Sequence, residues 1–126
     1  MNLWQRVLRW FRSPQTLKEV FAKHKIKGSN APSDCPDGWL HLVDQCFYEL
    51  RAHGWDLNLF QVKEKFGSLR IYLGGDIADL QLSNIILRYE NESSHTCGIC
   101  GGFGKKNNLE IPRCDIHRAF QMNRGT

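Results

Sequence analysis

The chain has no long apolar run: its longest uninterrupted aliphatic stretch is Ile85-Ile86-Leu87, too short to cross a bilayer. The opening MNLWQRVLRWFR also lacks the uncharged apolar core and small-residue cleavage site of a secretory signal, since Arg6, Arg9 and Arg12 interrupt it. The expected location is therefore cytoplasmic. Cysteine is confined to positions 35, 46, 97, 100 and 114, and in that compartment five thiols are not read as a disulfide framework. No phosphate-binding glycine loop of the P-loop or dinucleotide type occurs, and Gly74-Gly75 reads as the exit from a strand. Paired carboxylates at useful spacing are not evident. His41 and His53 fall on the polar side of a helical pattern with no Ser or Cys paired to them, so nucleophilic catalysis finds no support.

The chain that remains has 126 residues, 24% of them charged and 41% hydrophobic, values that suit one modest globular domain. Charge is unevenly placed. Residues 1–27 carry seven Arg and Lys against Glu19 alone, a net of +6, which leaves the remainder at −2 within a total of +4. The expected organisation is a basic helical arm over residues 1–30 joined to a single small body over 31–126. Only the arm, by its charge, points to an anionic partner.

Periodicity supplies the elements. Leu3, Trp4, Val7, Leu8 and Phe11 share one helical face in the arm, flanked by the arginines. Ser13-Pro14 reads as an N-cap and first helical position for a second short helix, with Leu17, Val20, Phe21 and His24 inward, ending by Gly28. The body opens with DGWLHLVDQCFYELRAHG, in which Trp39, Leu42, Val43, Cys46, Phe47 and Leu50 form a core-facing stripe and Gly54 is placed to end the helix. Leu57 and Leu59, then Leu69, Ile71 and Leu73, alternate with polar residues and predict a β-hairpin turned near Gly67. Asp76 is placed to cap a helix over residues 77–92 with Leu82, Ile85, Ile86 and Tyr89 on one face. The predicted class is α+β.

The strongest motif is HTCGICGGFGKKNNLEIPRCDIH. Cys97 and Cys100, then Cys114 and His117, offer four ligands in two close pairs, the donor set of a tetrahedral zinc site. A redox Cys-x2-Cys and unliganded cysteines are the competing readings. His95 is the rival for the fourth position, although His117 mirrors the spacing of the first pair. A knuckle, a short hairpin and a helix start over residues 95–120 resemble a treble-clef or ribbon-type zinc finger. Four protein ligands leave no open position for water, so the expected zinc is structural and the chain non-enzymatic, with no catalytic residue to name.

Two stretches are candidates for contact with a partner. Lys63, Lys65, Phe66 and Arg70 form a basic, aromatic-tipped hairpin, which suits phosphate or an acidic surface and equally suits a solvated turn with Phe66 tucked inward. Trp4, Arg6 and Arg9 belong to an arm that docks on a partner or packs on its own body.

The acidic-loop DGW, the hairpin QVKEKFGSLRIY, a helix, and Cys-x2-Cys-Gly with Cys-x2-His together resemble a group of small proteins of bacterial and phage genomes. The resemblance covers about residues 35–117. It implies this architecture, Cys97, Cys100, Cys114 and His117 as zinc ligands, and a phage or mobile-element accessory protein. It implies no catalytic residue. The expected function is an interaction protein that binds, and in one form inhibits, a host protein. A nucleic-acid binder using the same basic surfaces with Lys105 and Lys106 is the alternative, and a metal-dependent nuclease the weaker one.

Overall fold

The stripe of DGWLHLVDQCFYELRAHG forms the spine of the fold. In the computed structural model, which describes residues 14–28, 31–75 and 79–124, the chain runs α1 (Leu17–His24), a 3₁₀ turn (Asp37–Trp39), α2 (Leu40–Ala52), β1 (Leu59–Lys65), β2 (Ser68–Leu73), α3 (Leu80–Ser93) and α4 (Asp115–Arg124). Mixed helices and one antiparallel hairpin bear out the α+β class. Among the described residues no helix is long and apolar enough to cross a membrane.

Trp39, Leu42, Val43, Cys46, Phe47 and Leu50 are all buried, and Leu59, Val62, Leu69, Ile71, Leu82, Ile85 and Tyr89 close over them from the hairpin and α3. Val20 of α1 joins the same core. Phe47 lies between Phe21 and Trp55, with ring centroids 6.0 and 5.1 Å away, which ties α1 and the segment after α2 to one aromatic centre.

Two helix starts differ from expectation. Thr16, not Ser13 with Pro14, caps α1: its hydroxyl accepts from Glu19 N–H at 3.1 Å, while the Glu19 carboxylate accepts from Gln15 N–H at 3.0 Å. The first bond satisfies an orphan donor of the opening turn and the second ties down the residue ahead of the cap, which together outweigh the preference of proline for a first helical position. Lys25, in the left-handed region at φ 55, ends α1 before Gly28 is reached. Asp79, not Asp76, caps α3, accepting from Leu82 N–H at 3.1 Å. Gly54, at φ 89, stands just past His53, the residue that closes α2, as expected. The first arm helix, with Trp4, Arg6 and Arg9, and the residues Ser13 and Asp76 themselves lie outside the described residues.

The hairpin turns through Phe66 and Gly67, at φ 54 and 79, the pair of positive angles that matches the twist of a two-residue connection. Register runs Val62 to Ile71, Lys63 to Arg70 and Lys65 to Ser68, with an irregularity between Leu59 and Gln61. That bulge places Leu59 and Val62, three residues apart, both inward. Leu57, expected in the strand, precedes it at φ 70.

Both edges of the ribbon are occupied. On the β1 side, Val62 N–H donates to Ser33 Oγ at 2.9 Å, and Ala31 and Asp34 N–H donate to the carbonyls of Phe60 and Val62. On the β2 side, Leu69 N–H donates to Ser93 Oγ at 2.9 Å and Ile71 N–H to Glu90 Oε2 at 3.2 Å. A two-stranded ribbon is marginal by itself, and these partners replace the missing strands.

Candidate metal centre

Four ligand atoms converge at the C-terminal end of the fold: the sulfurs of Cys97, Cys100 and Cys114 and one ring nitrogen of His117, all within 4.8 Å of one another. The Cys100 and Cys114 sulfurs are 3.8 Å apart, and His117 Nδ1 is 3.5 Å from Cys97 Sγ and 3.1 Å from Cys114 Sγ. A tetrahedron built on ordinary zinc–sulfur and zinc–nitrogen bonds has edges of about 3.6–3.8 Å, so the side chains already stand near coordinating positions. The cluster could hold a metal ion. His95, the rival ligand, is exposed and is not part of it; His117 fills the fourth corner.

Local structure explains the convergence. Cys97 N–H donates to the Gly102 carbonyl at 2.8 Å and folds the first pair into a knuckle, in which Ile99 and Gly102 N–H groups point at the Cys97 and Cys100 sulfurs, each at 3.4 Å. Short bridges pair Thr96 with Phe103 and Lys105 with Arg113, returning the chain to Cys114. Cys114 then stands immediately before α4, and His117 lies one turn along, where Arg118 N–H bonds the Cys114 carbonyl at 2.9 Å.

Burial alone would raise the Cys97 thiol, but N–H groups of Cys100, Cys114 and Ile99, with His117, outweigh it and bring its pKa down to about 6. At Cys100 the Gly102 N–H favours the thiolate, yet burial and the neighbouring Cys97 and Cys114 sulfurs leave the pKa raised. Crowded thiolates of this kind repel one another, and a dication is what neutralises them. Cys35 and Cys46 behave differently. Burial pushes Cys35 up to about 12 and Cys46 further up, as expected of thiols packed in a core.

The module is joined to the body through backbone. Gly38 N–H donates to the Gly98 carbonyl at 2.9 Å and Trp39 Nε1–H to the Thr96 carbonyl at 2.9 Å. A Cβ on Gly38 would stand 2.1 Å from the Cys97 carbonyl oxygen, and one on Gly67 would stand 2.2 Å from that of Glu110. The glycines of DGW and KFG are thus points of close backbone approach, where helix start and hairpin tip meet the ligand-bearing loop. Sequence reading assigned neither role, since its only signal was glycine beside a conspicuous aromatic residue.

His41, which faces away from the stripe as expected, reaches Gly101 and with Asp37, Gln45 and Cys100 lines an open cleft of about 480 Å³ beside the cluster. Burial lowers its pKa, against a smaller opposing effect of Glu92.

The hairpin candidates are far from these ligands in role. Phe66 is 55% exposed, so of the two readings the one in which it tucks inward fails: at the tip of a two-residue turn its side chain has no core to enter. Lys63 stands over the Tyr72 ring at 5.7 Å and Lys65 over the Phe66 ring at 5.6 Å, while Arg70 leans towards Glu90 at 3.9 Å. Comparison with known protein families, with curated proteins and with solved structures finds no match.

Proposed function

We propose that the chain is a non-enzymatic recognition protein in which one zinc ion, held by Cys97, Cys100, Cys114 and His117 in a treble-clef-like module, orders residues 95–120 and locks them to the body. The observation that carries the reading is the convergence of four ligand atoms within 4.8 Å. Three sulfurs and one imidazole select zinc over harder cations, and four protein ligands complete its shell. The loop between the ligand pairs exposes Phe103 and Leu109 and has little core of its own, so metal binding supplies its folding energy.

The biological form that fits the sequence resemblance is a phage or mobile-element accessory factor. Of the two partner classes the sequence raises, a host protein and a nucleic acid, the rings and cations displayed on the hairpin favour nucleic acid.

Elemental analysis of purified chain is expected to find one equivalent of zinc. Chelation is expected to shift Trp39 fluorescence, because its indole is hydrogen-bonded to the carbonyl of Thr96 beside the first ligand. Purified, folded chain without stoichiometric metal, or an exchangeable water on the ion, would sink the proposal.

A further inference from the structure

The outward face of the hairpin carries exposed rings interleaved with cations. Gln61, Lys63 and Lys65 lie opposite Tyr72, Arg70 and Ser68 on this face, and Phe60 is the residue inserted by the bulge. Phe60, Tyr72 and Phe66 are 43%, 39% and 55% exposed. Phe66 is doubly out of place for stability, since a bulky ring there is exposed and its backbone occupies the left-handed region that favours Gly or Asn. Lys106, from the metal-bearing loop, adds a further cation at the tip by donating to Ser68 Oγ at 3.2 Å.

Both ribbon edges are already bonded, so a partner cannot add as a strand and must be read by side chains on the face. Interleaved rings and cations suit a flexible polyanion with flat groups. From Phe60 to Phe66 the strand extends about 20 Å, and sheet platforms of this kind stack about two or three bases. We infer that the hairpin face binds single-stranded nucleic acid, bases stacking on Phe60, Tyr72 and Phe66 and phosphates meeting Lys63, Lys65, Arg70 and Lys106. The inference rests on the recognition-protein reading and names its partner.

The test is fluorescence anisotropy of full-length, zinc-loaded chain with labelled oligouridine, oligodeoxythymidine and a blunt duplex. Both single strands, or one of them if the sugar is also read, are expected to bind more tightly than the duplex. The slope of log affinity on log salt should be about −2 to −3, as three or four phosphate contacts to a single strand require. Tyr72→Ala and Phe66→Ala are each expected to weaken binding at least about fivefold, with Tyr72→Phe within about twofold of the parent, since stacking needs the ring and not the hydroxyl. Phe66→Ala lies on an exposed turn and keeps the test valid should Tyr72→Ala fail to fold. No binding at low salt, preference for the duplex, or indifference to Phe66→Ala overturns the inference. So does a protein partner, or self-association, lost with these substitutions while single strands are ignored. A chain that holds its zinc and ignores single strands sinks this inference alone; a chain without zinc sinks the proposal it rests on.

Discussion

At single residues, the firmest consequences come from backbone contact. Any side chain on Gly38 must displace the Cys97 carbonyl, and both belong to hydrogen-bonded backbone that cannot give way cheaply. Gly38→Ala is expected to destabilise the fold by about 3 kcal/mol or more, a size reserved for clashes and broken buried networks, and to weaken metal retention in parallel. Denaturant unfolding and metal content of the variant check both. Phe66 predicts the opposite sign. Replacing it with Gly or Asn relieves a positive φ and is expected to raise stability by about 0.5–1 kcal/mol in the same unfolding assay. The ligand thiols add a pH dependence. Thiolate is the coordinating form and Cys100 holds its proton above the ordinary thiol range, so zinc affinity should fall steadily as pH is lowered and more steeply below about 6, where Cys97 also takes up its proton; a chromophoric chelator titrated across that range would show it.

Among elements, α1 is held to α2 by a buried polar group as well as by Val20. His24 is fully enclosed, edge-on to Phe47 and Tyr48, and its Nε2 lies 2.7 Å from Asp44 Oδ1. Arg51 Nη1 donates to His24 Nδ1 at 3.0 Å, which leaves the ring hydrogen on Nε2, facing the carboxylate. Lys23 bonds the second Asp44 oxygen at 3.0 Å. Burial raises the Asp44 pKa, but these partners outweigh it and the net shift is downward. A depressed carboxylate contributes stability that is complete above its ordinary value and is lost as pH falls through the folded value. The α1–α2 joint should therefore weaken below about pH 4. Asp44→Ala is expected to cost about 2–3 kcal/mol at neutral pH, where it strands the two donors, and to flatten the acid limb of the stability profile.

What the sequence made legible at this scale follows from locality. The stripe of α2, the face of α3 and the turn at Gly67 are written in residues a few positions apart, and each was readable. The helix starts were misplaced because several residues able to cap stand near one another in the sequence, and a local pattern does not rank Thr16 against Ser13 or Asp79 against Asp76. The bulge at Phe60 was hidden because it breaks the period of two on which strand reading depends.

For the whole molecule, the ligand set was legible because two close Cys and His pairs are a local pattern with one dominant chemistry. The attachment of the ligand loop to the body was not. Trp39 and Thr96, joined by a hydrogen bond, are 57 residues apart in the chain, and no periodicity encodes such a meeting. The ion, the helix start and the hairpin tip consequently share one structure, and chelation should lower the unfolding midpoint of the entire chain and not merely fray its end. Loss of a single thermal transition into two on chelation would contradict that coupling.

The bonded rims of the ribbon have a further consequence. With Ser33 on one flank and Ser93 and Glu90 on the other, the hairpin offers no vacant seam for a second copy to zip onto. An isolated peptide of residues 59–73 would lose both guards at once and present two bare borders to its neighbours, so the fragment should stick to itself at concentrations where the intact protein stays dispersed.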